Sequence, residues 1–249
     1  MRPPRISFVG GLYHVTVRCN NREYFFKEDS DFSLFLQILA VAKAIYHVRV
    51  YAYCLTSNHV HLLLGTPDKA NLSQFMQYLN GNFAKAYNRK YGKTGRFWGG
   101  RFYSTVMESE SQFFNTVLYI EFNMVRNGVV NEPSLWRWSS FHAHAHGHEN
   151  PTLDFHSLYL ALGDSPEARQ RAYRQIVQEQ MRQKGYTRES TFSMGVIVGT
   201  EHFIQALLDK YGDLIPFYRQ RKIYPFDEGK NSYSLRHPRL RRVSFLNTS

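Results

Sequence analysis

The sequence predicts an α+β fold: a ferredoxin-like split βαβ unit whose antiparallel sheet carries helices on one face, followed by a small helical C-terminal appendage. Three observations lead there. Over the first half of the chain, strand-like and helix-like segments run in the order strand, helix, strand, strand, helix, strand, helix. Of the 249 residues 43% are apolar, enough for a packed core, and in the helical segments they recur at helical spacing. No apolar run approaches the roughly 18 residues that a membrane span needs.

Each element has a local cause. Leu12–Arg18 is rich in β-branched and aromatic residues and comes directly after the Gly10-Gly11 turn, so it reads as a strand. Asp29-Ser30-Asp31 supplies N-caps for a helix to about His47, with Phe32, Phe35, Leu39, Ala42 and Ile45 on one face. Val48–Leu55 and His59–Gly65 read as strands joined by the Thr56-Ser57-Asn58 turn. Asn71 with Gln74, and Ser109 with Gln112, have the spacing of capping boxes and start two further helices. The first has the core stripe Met76, Leu79, Phe83, Ala86; the second ends near Asn127-Gly128. Between them, a Gly-rich loop from Gly92 to Gly100 leads into a strand over 101–107. Ser165-Pro166 starts a helix to about Lys184, and Thr200 one to about Lys210. The chain is expected to divide into a main α+β unit at 1–148, a helical appendage at 149–212 and an extended basic tail at 213–249.

Charge narrows the function. Thirty-one Lys and Arg face 20 Asp and Glu, a formal charge of +11. Lys85, Arg89, Lys90, Lys93, Arg96 and Arg101 form one cluster without an acid, threaded by Tyr87, Tyr91, Phe97 and Trp98. Basic groups neutralise phosphates and interleaved aromatics can stack on bases, which favours nucleic acid over a merely solvated surface. Neither this cluster nor the basic tail has the form of a membrane-binding amphipathic helix. Cys19 and Cys54 have no metal-type spacing and make no disulfide framework. Ser7, Gly10, Gly11 and His14 break up the segment after the basic start, so a signal-peptide reading fails and the protein is expected to be soluble and cytoplasmic.

Two stretches carry chemistry. On a strand, His59 and His61 share one face and Val60, Leu62 and Leu64 the other. If helices cover the apolar face, the imidazoles lie on the open one, close enough to converge on one cation. On the helix from Glu110 to Arg126, Phe114, Val117, Leu118, Phe122 and Val125 fall in one arc, with Gln112, Thr116, Tyr119, Asn123 and Arg126 opposite. Asn123 then lies beside Tyr119, one turn on. Glu121 falls in the apolar arc and requires a partner, expected to be an arginine. The run His142, His144, His146, His148 could be a second metal site or a polar loop.

Together, Asn58-His59-Val60-His61, Phe97-Trp98-x-x-Arg101-Phe102 and Tyr119-Ile-Glu-Phe-Asn123-Met-Val-Arg126 resemble the single-tyrosine HUH transposases, in particular the REP-associated tyrosine transposases. The opening Tyr13-His-Val-Thr-x-Arg18-x-Asn20-Asn21-Arg22 is similar to that group's first strand, and the likeness extends over about residues 3–145. Met124 stands where the family usually has proline, which should leave the helix less interrupted.

The resemblance implies that His59, His61 and Asn123 hold a divalent cation, Mg²⁺ or Mn²⁺, although imidazoles alone would also suit Zn²⁺. It implies Tyr119 as the nucleophile that attacks single-stranded DNA beside a hairpin to give a 5′-phosphotyrosine. Arg18, Arg22, Lys85, Arg89 and Arg101 are the candidate DNA contacts, with Arg126 flanking the chemistry. The working unit would be a monomer or a homodimer. Two other readings stay open: a retired transposase that binds hairpin DNA or RNA without cutting, and a metal-dependent phosphodiesterase that uses water.

Overall fold

The computed structural model describes residues 5–69, 71–183, 195–211, 222–227 and 231–236. Four strands form the first part of the sheet: β1 (Gly11–Arg18), β2 (Arg49–Leu55), β3 (His59–Thr66) and β4 (Tyr103–Met107). They stand in the order β2-β3-β1-β4, every neighbouring pair antiparallel. This is the split βαβ arrangement that the element order implied. Helices α1 (Asp29–Tyr46) and α2 (Leu72–Lys90) are its two crossovers.

Alternation along the strands builds two cores. Tyr13, Val15, Val17, Val60, Leu62 and Leu64 face α1 and α2, where they meet Phe35, Leu39, Phe75, Leu79 and Phe83. Leu12, Ala52, Cys54, Leu63 and Met107 face the other way, against α3 (Ser109–Glu121). The helices of the split βαβ unit share one face, but α3 covers the second, so the histidine face is not left open. α3 is therefore buried almost all round: Gln112, Thr116 and Glu121 are as enclosed as Val117 and Ile120, and Tyr119 is buried too. Its polar side is a contact face rather than a solvent face.

The local signals at helix ends need adjustment. Neither Asn71 nor Ser109 makes a side-chain cap. Asn71 donates to the Tyr46 carbonyl instead, and Glu108 holds the start of α3, accepting from Ser111. The capping box that does form joins Glu28 and Asp31 at the start of α1. A break at Phe122 (φ −81°, ψ 6°) separates α3 from the short α4 (Asn123–Arg126), although proline is absent at 124.

Beyond residue 140 the chain adds to both faces. α5 (Phe141–His146), α6 (Ser157–Leu160) and α7 (Pro166–Arg182) pack outside α3, burying Phe141, Ala145, Tyr159, Tyr173 and Val177. Ser165 caps α7 by accepting from Ala168 N–H at 3.2 Å, as Ser-Pro predicts. β5 (Ile197–Gly199) pairs in parallel with β4, and α8 (Glu201–Tyr211) places Ile204 and Leu207 in the first core. β7 (Ser232–Arg236) and β6 (Lys222–Asp227) complete a seven-stranded sheet, β2-β3-β1-β4-β5-β7-β6. The region expected to be an extended tail thus contributes two strands to the sheet; its residues 213–221, 228–230 and 237–249 lie outside the described ones. No helix among the described residues is long and apolar enough to cross a membrane.

Candidate active site

The site lies where β1 and β3 meet α3 and α4. Antiparallel register puts Thr16 opposite His61 and Arg18 opposite His59. One cleft of about 550 Å³ is lined by Arg18, Arg22, His59, His61, Tyr119, Asn123 and Arg126, together with Tyr24 and Trp136. No carboxylate lines it, so its fixed charge is positive.

The two imidazoles are oriented by what holds their far nitrogens. His59 Nδ1 lies 2.8 Å from Thr56 Oγ1 and 2.6 Å from Asn58 Oδ1. The threonine hydroxyl already donates to the His59 carbonyl and the amide oxygen has no proton, so both accept from Nδ1–H. The neutral ring then carries its lone pair on Nε2. His61 is 4% exposed; its Nδ1 is 2.9 Å from His14 Nε2 and its Nε2 is 3.1 Å from the Asn123 amide nitrogen. An amide N–H can only donate, so the Nε2 of His61 is likewise the lone-pair nitrogen. Burial, reinforced by His59, His14, Arg126 and Arg18, pushes the His61 imidazolium well below its ordinary range and keeps the ring neutral.

This donor set, two unprotonated imidazole nitrogens and an amide, suits a divalent cation. The Asn123 N–H occupies the lone pair that a cation would take, and coordination would turn the amide to present Oδ1. Among the described residues no group of three His, Cys, Asp or Glu side chains is arranged to hold a metal ion. The 142–148 run therefore makes no second metal site. His144 turns inward while His142 and His148 stack with centroids 5.1 Å apart.

Tyr119 is 8% exposed, its ring 6.2 Å from that of His61 and 5.6 Å from that of His14, centroid to centroid. The Arg126 guanidinium lies 3.8 Å above the phenol ring and donates to the Tyr119 carbonyl, which fixes ring and helix end together. Asn127 donates to the Asn123 carbonyl at 2.7 Å and to its side-chain oxygen at 3.1 Å. The i, i+4 spacing of Tyr119 and Asn123 brings them into one cleft, as expected.

Other expectations divide. Arg18, Arg22 and Arg126 reach the cleft; Lys85 and Arg89 line a different groove between α1 and α2, and Arg101 is exposed outside both clefts. Tyr87 and Phe97 are buried in the first core with Phe25 and Phe83, so they cannot stack on bases. Glu121 finds no arginine: it accepts from Ser140, His144 and Tyr173. His14 joins the site without having been singled out by motif, though the alternation of Tyr13, Val15, Val17 against His14, Thr16, Arg18 places it on the site face. The setting of Arg22 is also new. Asn21 and Arg22 both adopt positive φ (51° and 59°), and Asn58 Nδ2 holds the Arg22 carbonyl at 3.2 Å.

Comparisons with known proteins bear on the fold and on sequence similarity. Residues 8–123 match the family profile described as Transposase IS200 like. A Haemophilus influenzae protein described as a REP-associated tyrosine transposase is 27% identical over 144 residues, covering 53% of this chain and 81% of that protein. A solved structure of a REP-associated tyrosine transposase bound to a REP hairpin aligns with a TM-score of 0.51 at 20% identity, over 63% of this chain and 92% of its own, which bears on the fold. Over residues 8–123 the chain is thus similar to the IS200-like transposases.

Proposed function

We propose that this protein is a single-stranded DNA nickase and strand transferase that works beside folded hairpins through a 5′-phosphotyrosine at Tyr119. The observation that carries the reading is the meeting, in one positively charged cleft, of a phenol, two imidazoles with lone pairs on Nε2, an amide and three guanidinium groups. The Tyr119 oxygen attacks phosphorus and the bond from phosphorus to the 3′-oxygen breaks. The phenol proton is released and the leaving oxygen takes one up, giving a free 3′-hydroxyl. One phosphodiester replaces another, so attack by a 3′-hydroxyl reverses the step without ATP.

His59, His61 and Asn123 would hold Mg²⁺ or Mn²⁺, which when bound polarises the scissile phosphate and offsets charge on the leaving oxygen. Arg18 and Arg22 neutralise flanking phosphates, and Arg126 keeps the phenol ring in place. The solved relative is bound to a REP hairpin, so hairpin DNA with a single-stranded flank is the substrate to try first.

Labelled hairpin DNA incubated with the protein and Mg²⁺ should yield an adduct that survives denaturant and is lost in Tyr119→Phe. Free products from both proteins would instead mean hydrolysis by water. Binding without any cleavage would mean a retired enzyme. Replacing Mg²⁺ and Mn²⁺ by Zn²⁺ should abolish the adduct, and cleavage in Zn²⁺ alone would contradict the metal assignment.

A further inference from the structure

We infer that Glu121, held by Ser140, His144 and Tyr173, is a rotational anchor through which helices α5 and α7 position Tyr119 and Asn123. Glu121 is fully buried, and so, within 1%, are its three partners. It receives the Ser140 hydroxyl at 2.5 Å, His144 Nδ1 at 2.8 Å and the Tyr173 hydroxyl at 2.6 Å. Burial, then the Glu121 charge, holds the Tyr173 phenol well above its ordinary range, so it stays a donor.

The sequence position gives the anchor its meaning. At about 100° per residue, Tyr119 and Asn123 lie about 40° apart on the helix, and Glu121, two residues from each, points about 160° away from both. A bond network at the back of the helix therefore sets the rotation of the two groups at the front. Glu121 is also the last residue of α3, immediately before the break at Phe122. Without a fixed point there, α3 and α4 could turn independently and separate Tyr119 from Asn123. A buried carboxylate is costly, and apolar residues of equal volume often serve a core as well or better. Its three donors also come from beyond residue 123, where the family match ends. The segment after 140 thus completes the site without lining it.

The inference rests on the proposed chemistry for its rate readout but not for its structural one. Tyr173→Phe removes one hydroxyl and keeps the ring; Glu121→Gln keeps the volume and removes the charge. In the full chain, well below each variant's melting temperature, both should bind hairpin DNA within about twofold of wild type. The single-turnover rate of adduct formation should fall 10- to 100-fold, with the larger loss in Glu121→Gln. Amide hydrogen exchange should quicken in residues 117–127 and stay unchanged in β1, β3 and α2. Unchanged rates, or rate losses matched by a lower folded fraction and faster exchange throughout, would overturn the anchor. If wild type itself forms no adduct, the enzymatic reading fails, and the exchange pattern alone decides whether the anchor holds the helix.

Discussion

Charge on this molecule is divided between two faces, and salt dependence can tell which one would grip the DNA proposed as substrate. Arg18 and Arg22 are exposed and line the candidate active site; Lys85 and Arg89 are equally exposed but line the groove between α1 and α2. Each phosphate neutralised on a single strand contributes about 0.7 to the negative slope of log affinity against log salt. Replacing Arg18 and Arg22 by Gln should therefore lower the slope by about 1.4, which over a fourfold rise in salt is about a sevenfold difference. Fluorescence anisotropy with a labelled single-stranded oligonucleotide, titrated at 50, 100 and 200 mM NaCl, measures the slopes directly. The Lys85→Gln, Arg89→Gln pair should leave the slope within about 0.3 of wild type. Equal changes in the two double variants would refute the placement of the strand in the cleft. A larger change in the second would move the DNA to the far face. Arg22→Gln keeps an unbranched polar side chain, and the backbone there is tied by Asn58, so the loop should hold its shape.

Buried contacts give further expected outcomes. Asp31 accepts from the Lys27 and Glu28 amides at 3.0 Å each, from Lys90 at 2.7 Å and from Tyr91 at 3.0 Å. Burial alone would raise its pKa; Lys90, the two amides and Tyr91 outweigh it and hold the carboxyl below its usual value. Asp31→Asn should cost about 2 kcal/mol in urea unfolding at pH 7, short of the value for a fully buried pair because Lys90 is partly solvated. A depressed folded pKa means that this stability is present above about pH 4 and lost as pH falls through the folded value, so the gap between the two proteins should close on acidification below that value. A gap that persists there would show the contribution is not ionic. Thr56→Val removes the hydroxyl that orients His59 Nδ1 and should weaken Mn²⁺ binding by about 10- to 100-fold in a calorimetric titration. Wild-type affinity would show that Asn58 alone suffices. His142→Ala with His148→Ala should leave Mn²⁺ stoichiometry unchanged, since those rings stack rather than converge on an ion.

The features legible in the sequence are local ones. β-Branched and aromatic runs bounded by turns locate β1, β2 and β3, and period-two alternation assigns His59 and His61 to one face. The one-turn spacing of Tyr119 and Asn123 is enough to set them side by side. The features that are not legible depend on which distant surface an element meets. α3 reads as amphipathic, yet it is clasped between the sheet and α7, so its polar side is an interface and Glu121 finds partners 19, 23 and 52 residues away. Charge gives the sign of a patch but not its location, which is why Lys85, Arg89 and Arg101 read the same as Arg18 and Arg22. Aromatics among basic residues look like a stacking surface, whereas Tyr87 and Phe97 serve the core because α2 turns them inward. Three-residue β5 carries almost no periodic signal, and without it β6 and β7 have no visible route into the sheet.

The most direct test of the proposed chemistry is identification of the linkage itself. After reaction with a hairpin oligonucleotide and Mg²⁺, nuclease trimming, proteolysis and tandem mass spectrometry should find a nucleotide phosphate on the peptide containing Tyr119, attached at that phenol through the 5′ side. A cleaved oligonucleotide with no modified peptide, or with the nucleotide on another tyrosine, would contradict it.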